Sequence, residues 1–585
     1  MMPTDSGGIP AVAVSKRTSN YINSAYTILM ILIVSVGWKL ILALILKFWP
    51  TKGEPNRVVA LVALWNSSES MNGMMAMLSY CGMVIRRPSS KTPGSILDGS
   101  NLSWGLLFLF LAFSLTFGNI LAGILVPVQL SMGNVAPPAK KAIFYPDVAL
   151  YSRTDDNGAG QSKLDSLKAP SALRALGSVE AADDDVSVRD RVHIENRNSG
   201  GSAYLSYNYN VTGVDMGLQT DPTLTLLIKG ACRTDDTWLV NSTDEGDTYK
   251  LFGGDDTYLV KYQPQVDLPP MVHFELDPKS PKSNISYAMI VSTGGLLSYT
   301  SGQDPWYATN KTEGAAIAYQ VRRRRPVLIC WEVTRWRLNG KEVDNSGLPT
   351  LPGLKLAKFW STEVFSGEFG VPRVVSVGKA AGTNALKSAS FAVAPYYILD
   401  AGASNIIDDL KRLVLASWVS SRNVVRDTTT YNRGSLVNLA AGAGGSLKPG
   451  VEEFVLQGGD IVTLSVRILI AVPAILLFLL IVNEILRFVL KHSDRFEEDS
   501  VFKDFYKDKE KTHKVKNAVA LLAIELYARL DKEKNKDHTW DHSGLTAFPF
   551  VSSVSPSLEE GSSTGQGPDE KSEAGIAAAP LDNGK

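Results

Sequence analysis

Three long apolar blocks interrupt a sequence in which polar and apolar positions are otherwise mixed. They cover residues 25–46, with Lys39 as the only charge, 104–125, with no charge, and 461–490, with charges only toward its ends. At about 1.5 Å per helical residue, each block is long enough to cross a hydrocarbon core of about 30 Å. The pattern therefore predicts three transmembrane helices.

A fourth apolar stretch, residues 58–85, is interrupted by polar residues between Asn66 and Asn72. Those polar groups would be costly in lipid. We therefore expect an interfacial or protein-packed helix here, and the alternative is that part of the stretch re-enters the membrane.

Basic residues set the expected orientation. They are frequent in loop 47–103 and just after the third block, and sparse at the membrane ends of segment 132–459. The positive-inside rule then places loop 47–103 and the tail 491–545, which carries a candidate amphipathic helix, in the cytoplasm. Segment 132–459 and the short N-terminus 1–24 lie outside. The Ser-, Gly- and Glu-rich end, 546–585, is expected to be disordered.

The large segment combines strand and helix signals. Residues 132–200 are predicted to be loops, and short β-branched and aromatic runs follow from about Ala203. The strongest local signal is a hairpin, in which strand 327–338 turns at Asn339-Gly340. Helices are predicted at 355–365 and at 406–420, the second with Asn405 as N-cap and an apolar stripe facing the core. Strands followed by helices predict an α+β extracytoplasmic domain.

Four asparagines in the external segment begin an N-x-S/T sequence: Asn210, Asn241, Asn284 and Asn310. They are predicted N-glycosylation sites, because the segment is expected to face the secretory lumen.

Cysteine usage agrees with that compartment. Cys232 and Cys330 both fall in the external segment, where an oxidising environment favours a disulfide between them. Two separately buried thiols are the alternative. With only three cysteines and six histidines in the chain, we predict no metal centre and no cofactor.

Small residues recur on one face of the second block. Ser114, Gly118 and Ala122 are four residues apart, and Asn119 lies beside them. This spacing allows another helix backbone to approach closely, and Asn119 is expected to hydrogen-bond a neighbouring helix. Packing among the three spans and dimerisation explain the pattern equally well.

Charge and motifs exclude several functions. Lysine plus arginine and aspartate plus glutamate both number 59, so the chain lacks the basic excess of a nucleic-acid binder. The basic run at 322–325 is predicted to be an exposed strand end, with binding of an acidic glycan or anionic lipid as the alternative. No linear catalytic signature is present. A paired-carboxylate enzyme needs no such signature, so that class stays open.

Two stretches, LWNSSESMNGMMAMLSYC at 64–81 and RRRRPVLICWEVTRW at 322–336, resemble ones in uncharacterised fungal multipass membrane proteins with a large external domain. The resemblance implies location and layout only. The layout predicts a protein of the plasma membrane or another secretory-pathway membrane, embedded in the lipid bilayer. Its external glycodomain is expected to bind or sense a surface polymer or protein. The alternatives are a tethered enzyme acting on wall glycans or lipids, and a structural scaffold.

Overall fold

The computed structural model describes residues 1–5, 7–48, 64, 67, 69–86, 99–147, 159–182, 190–199, 202–262, 269–313, 317–393, 396–431 and 436–491. The chain forms two compact units, one of Met1–Thr27 with Leu125–Pro473 and one of Ile28–Ile124 with Ala474–Lys585. The predicted tail elements beyond Lys491 lie outside the described residues.

The helices range from 4 to 33 residues and the strands from 2 to 12. The helices are α1 (Lys16–Phe48), α2 (Ser70–Arg86), α3 (Gly99–Leu130), α4 (Ala159–Ala181), α5 (Gly213–Met216), α6 (Phe365–Glu368), α7 (Arg373–Ala381), α8 (Ile406–Asp427) and α9 (Val466–Lys491). The strands are β1 (Met2–Thr4), β2 (Gly7–Ile9), β3 (Ala11–Ser15), β4 (Ser131–Gly133), β5 (Val135–Ala136), β6 (Val192–Ser199), β7 (Ser202–Thr212), β8 (Thr225–Asp235), β9 (Leu239–Ser242), β10 (Gly246–Lys250), β11 (Thr257–Lys261), β12 (Val272–Leu276), β13 (Ile285–Val291), β14 (Leu297–Ser298), β15 (Thr309–Lys311), β16 (Tyr319–Val321), β17 (Val327–Leu338), β18 (Lys341–Asp344), β19 (Ala392–Val393), β20 (Ile398–Leu399), β21 (Leu456–Gln457) and β22 (Ile461–Ser465).

Among the described residues, three helices are long and apolar enough to cross a membrane. The qualifying stretches are Lys16–Ile45 in α1, Leu102–Leu130 in α3 and Val466–Leu486 in α9. The predicted third block started too early, because residues 461–465 form β22 and the helix begins only at Val466.

The helical unit has its own core. Trp38 and Leu42 of α1 are buried together with Met77 of α2 and with Trp104 and Phe108 of α3. Helix α2 is therefore packed against protein on one face, as one sequence-based alternative for this stretch proposed.

A large antiparallel sheet dominates the other unit. Its strand order is β12-β13-β17-β8-β7-β6, and β18 pairs with β17 at the edge of this path. Helices α4, α7 and α8 pack against one another, with α8 on β6 and β7 and α7 on β12. The sheet thus has one face covered by helices, which is a sheet-rich domain of the kind the sequence indicates.

Two local predictions are confirmed. The β17–β18 hairpin turns at Asn339 (φ 50°) and Gly340 (φ 78°), both in the left-handed region that a type I′ turn requires. The Asn405 side chain accepts hydrogen bonds from the backbone N–H groups of Ile407 and Asp408 and so caps α8.

The prediction of loops over 132–200 is wrong. Helix α4 occupies Ala159–Ala181, and β6 follows at Val192–Ser199. Leu164, Ala175 and Leu176 are buried in α4, so tertiary packing stabilises a helix that its small residues barely signal. The helix predicted at 355–365 is instead a π-helical turn, Phe359–Val364, that leads into α6.

A three-stranded sheet joins the start of α1, the end of α3 and the start of α9. Its order is β3-β22-β4. Strand β3 runs directly into α1, α3 runs directly into β4, and β22 runs directly into α9. The N-terminal segment 1–24 is therefore not a separate piece of chain, because its strands belong to the sheet-rich unit.

Candidate binding groove

Within the described residues, the face of the large sheet opposite the helices is covered at one end. There the small sheet β11-β10-β9 packs on it, and Tyr249 and Val260 are buried against Ala288, Ile290 and Val327. The other end, formed by β6, β7, β8 and the second half of β17, carries a groove.

The groove has a volume of about 730 Å³. Its lining comes from four neighbouring strands and the loops beside them. It consists of Asp190, Arg191, His193, Asn208, Tyr209, Asn210, Leu227, Ile228, Lys229, Asn284, Trp331, Val333 and Arg335.

Strand register places the key side chains in a row. His193 pairs with Asn208, Asn208 with Lys229, and Lys229 with Val333. Neighbouring strands lie about 4.8 Å apart, so this row extends about 14 Å across the sheet. Because side chains alternate between faces, these four share the face opposite the core.

Basic and amide side chains make up six of the thirteen lining residues. The lining holds three basic side chains, Arg191, Lys229 and Arg335, and one carboxylate, Asp190, and all four are exposed. Arg335 lies 3.7 Å from Glu342 on the neighbouring hairpin strand, a long and exposed ion pair that leaves the guanidinium accessible. The half-buried indole of Trp331 adds an apolar surface among these polar groups.

A buried polar network stiffens the sheet directly beneath the groove. Glu332, between the lining residues Trp331 and Val333, points to the core, where its carboxylate accepts from the Arg373 backbone N–H (2.7 Å) and from the Tyr207 hydroxyl (2.8 Å). Tyr207 reaches across Gly230, where a Cβ would lie 2.4 Å from its hydroxyl. Burial raises the pKa of Glu332 to about 7, against the opposing effect of these two hydrogen bonds.

The network continues into the helical layer. Arg373 donates to Glu368 (2.9 Å) and to Ser420 (2.6 Å), and Lys168 of α4 lies 2.7 Å from Glu368. Burial alone would raise the pKa of Glu368, but the two cations hold it at about 2. These carboxylates are committed to internal contacts and face away from the groove.

All four predicted glycosylation asparagines are exposed. Asn210 lies in β7, Asn241 in β9 and Asn310 in β15, while Asn284 directly precedes β13. Two of the four, Asn210 and Asn284, line the groove.

Cys232 and Cys330 form a disulfide. They are directly opposed on β8 and β17, with Cα atoms 4.1 Å apart, and both are buried on the core face. The link therefore joins the two strands that supply Lys229 and Trp331. The third cysteine, Cys81, is a buried free thiol in α2.

The basic run 322–325 is only partly the exposed strand end that the sequence predicts. Arg325 is buried and pairs with Asp247 at 2.8 Å, while Arg323 pairs with Asp244 at 2.6 Å. Arg322 donates to Asn310. Arg325 therefore anchors the run to the β9–β11 sheet through the buried Asp247, while Arg322, Arg323 and Arg324 are exposed.

The small-residue face of α3 does not serve the packing that the sequence suggested. Ser114 and Gly118 are exposed, Asn119 and Ala122 are only half-buried, and a Cβ at Gly118 would meet nothing within 4 Å. The close helix contact is instead at Gly105, where a Cβ would lie 2.8 Å from Cys81 Sγ. Dimerisation through the Gly118 face stays a prediction.

Sequence reasoning missed the groove. Its residues come from five separate stretches between 190 and 335, and only register brings them together. The one local signal is the alternation in β17, which places Trp331 and Val333 on the face opposite the buried Cys330 and Glu332. Among the residues that the structure describes, no group of three or more His, Cys, Asp or Glu side chains could hold a metal ion.

A family model described as a domain of unknown function, DUF8406, matches residues 169–456. The match begins within α4 and ends at β21, so it includes the large sheet and the whole groove lining. No curated protein and no solved structure matches the chain.

Proposed function

We propose that the chain is a membrane-anchored binding protein, whose sheet-rich domain lies outside the cytoplasm and binds an acidic surface polysaccharide in the groove. The single observation that carries the proposal is the groove itself, with three basic side chains, three amides and an indole on one open sheet face.

Three observations support the extracytoplasmic location. The β3-β22-β4 sheet holds the starts of α1 and α9 and the end of α3 on one side, as an odd number of crossings requires. The disulfide suits an oxidising compartment. Loop 47–103 carries the basic residues expected on the cytoplasmic side.

The lining favours an extended, polar and anionic ligand. Sites for small apolar molecules are enclosed and have few polar groups, whereas this groove lies open on the sheet and carries three basic and three amide side chains beside its apolar ones. Lys229 and Arg335 suit carboxylate or sulfate groups, and charge-assisted hydrogen bonds are the strong ones. Trp331 offers a flat apolar surface of the type that often dominates binding energy.

Two predicted glycosylation sites lie in the same groove. An N-glycan on Asn210 or Asn284 would be attached at the surface where the ligand lies. We therefore expect full affinity only where these two asparagines are unmodified. Glycans on Asn241 and Asn310, outside the groove lining, are expected to leave binding unchanged.

Binding is tested with the full chain in lipid nanodiscs and two soluble polymers of equal length, a polyuronate and a neutral glucan. We expect the polyuronate alone to bind and its affinity to fall as salt rises, because the interaction is largely electrostatic. Trp331→Ala should weaken binding by about 2 kcal/mol, or about 30-fold. Lys229→Gln should weaken it about 10-fold.

The matched control is Lys311→Gln, which removes an exposed lysine of β15 outside the groove lining and should leave affinity unchanged. Equal binding of both polymers, binding of neither, or equal loss in Lys229→Gln and Lys311→Gln would overturn the proposal.

A further inference from the structure

Helix α2 runs antiparallel to α3 from the middle of that helix toward its start. At one end, Thr116 of α3 donates a hydrogen bond to Ser70 at the start of α2 (3.0 Å). At the other, a Cβ at Gly105 of α3 would lie 2.8 Å from Tyr80 and Cys81 of α2. Because Thr116 is near the centre of the apolar block 104–125, α2 begins about halfway along it.

Contacts with α1 independently place the start of α2 at the middle of the neighbouring helix. The Trp38 indole donates to the Ser67 carbonyl (3.1 Å), and a Cβ at Gly73 would lie 2.4 Å from the Trp38 ring. Trp38 lies just past the centre of the apolar block 25–46, on the side of Phe48. The start of α2 is therefore level with the middle of both neighbouring helices.

We infer that α2 is a re-entrant helix, which begins near the bilayer midplane and ends at the membrane surface where α3 begins. The inference rests on α1 and α3 crossing the bilayer, as the proposed function requires. With 17 residues, α2 is about 25 Å long, too short to cross the hydrocarbon core. Helix α1 ends at Phe48, ten residues past Trp38, whereas Ser67 lies at the level of Trp38, so α2 starts deeper than α1 ends.

Four apolar side chains on the outward face of α2 fit lipid acyl chains, although Asn72 at its start is exposed as well. Met71, Met75, Leu78 and Ile85 are each 45% to 57% exposed, while Met77, on the opposite face, is fully buried. In water this apolar row would be costly, and at the depth of α3 it meets hydrocarbon. Helix α3 also exposes apolar side chains at this level, among them Phe110 and Phe113.

The two described residues Leu64 and Ser67, just before α2, fit one condition for re-entry. Non-helical backbone is tolerated at membrane depth only where protein buries it and its polar groups find partners. Leu64 and Ser67 are buried, the Ser67 N–H donates to the Leu64 carbonyl (3.1 Å), and the Ser67 carbonyl accepts from Trp38.

Depth-dependent fluorescence quenching tests the inference. The full chain, with Cys81→Ala to remove the free thiol, is reconstituted in phosphatidylcholine vesicles that carry nitroxides at a deep or a shallow acyl position. A thiol-reactive fluorophore is placed at Met71→Cys, Met75→Cys and Ile85→Cys. These side chains are exposed, so their replacement leaves the helix packing unchanged.

We expect the deep nitroxide to quench most strongly at position 71 and the shallow one at position 85, with position 75 between them. Equal shallow quenching at all three would indicate a surface helix and overturn the inference. Phe110→Cys on α3, exposed and level with Met75, is the matched control. If position 110 is not quenched either, α3 is not embedded, and the proposed membrane anchorage fails instead.

Discussion

The buried carboxyl of Glu332 makes the stability of the sheet-rich domain depend on pH. Its pKa rises from 4.5 to about 7 in the folded protein, chiefly through burial. The substitution Glu332→Gln keeps the shape and an acceptor for the Arg373 backbone N–H but removes the ionisation. The Tyr207 hydroxyl can rotate to accept from the new amide. The difference in unfolding free energy between Glu332→Gln and the wild-type protein therefore measures the cost of the buried charge.

The direction in which pH changes the stability follows from proton binding by the folded and unfolded states. Between pH 4.5 and 7 the folded protein holds a proton on Glu332 that the unfolded chain has released, so stability falls as pH rises through this window. A pKa difference of about 2.5 corresponds to about 3 kcal/mol of unfolding free energy. In the wild-type protein, the stabilisation by the neutral Glu332 carboxyl is fully present below pH 4.5 and lost above pH 7. The amide in Glu332→Gln does not ionise, so the variant keeps this stabilisation at every pH.

We expect Glu332→Gln to match the wild-type protein at pH 4.5 and to be more stable by up to about 3 kcal/mol at pH 8. For a domain of about 300 residues this is a difference of about 5 °C in Tm. The measurement is the thermal unfolding of the full chain in nanodiscs at intervals between pH 4.5 and 8. Glu368, whose pKa is lowered, contributes the opposite slope below pH 4.5, but it is present in both proteins and cancels.

Glu363→Gln, at an exposed carboxylate, is the matched control and should melt in parallel with the wild-type protein at every pH. The reasoning about Glu332 would be refuted if the Tm difference between Glu332→Gln and the wild-type protein were constant from pH 4.5 to 8. It would also be refuted if the variant were less stable at pH 8.

Three further changes test other parts of the fold by the same thermal measurement. Replacing Cys232 and Cys330 by serine removes a disulfide between residues 98 positions apart. In the chain-entropy model this should lower the free energy of unfolding by about 4 to 5 kcal/mol. A Tm equal to that of the wild-type protein would contradict this. Gly105→Leu should destabilise the helical unit because its Cβ meets Cys81 and Tyr80, whereas Gly118→Leu, in open space, should not. Asn405→Ala should cost about 1 kcal/mol through loss of the α8 cap, and Asn405→Asp should restore most of it.

Features decided by local physical chemistry could be predicted from the sequence. The three apolar helices follow from length and composition, and the β17–β18 hairpin follows from the tolerance of Asn339 and Gly340 for positive φ. The α8 cap follows from one side chain that reaches two backbone donors. Each of these depends on residues within a few positions of one another.

Features decided by long-range pairing could not be predicted. Helix α4 has Pro170 in its interior and many small residues, so its own pattern is weak, and its packing on α7 and α8 decides its structure. The groove depends on the register of β6, β7, β8 and β17, and a shift of one residue would turn Lys229 toward the core. No local property of the sequence specifies that register.

The proposed topology is supported both by the distribution of basic residues and by the β3-β22-β4 sheet. Counting basic residues gives an orientation from composition alone, and a few charges near α1 oppose it. The sheet gives a geometric constraint that does not depend on charge, since Ala13 pairs with Thr463 and Thr463 with Gly133. Once these strands are joined, the starts of α1 and α9 and the end of α3 are tied to one another. If the three apolar helices cross the bilayer as proposed, the sheet-rich domain and the N-terminal strands lie on the same side of it, and the disulfide supports the proposal that this side is the oxidising one.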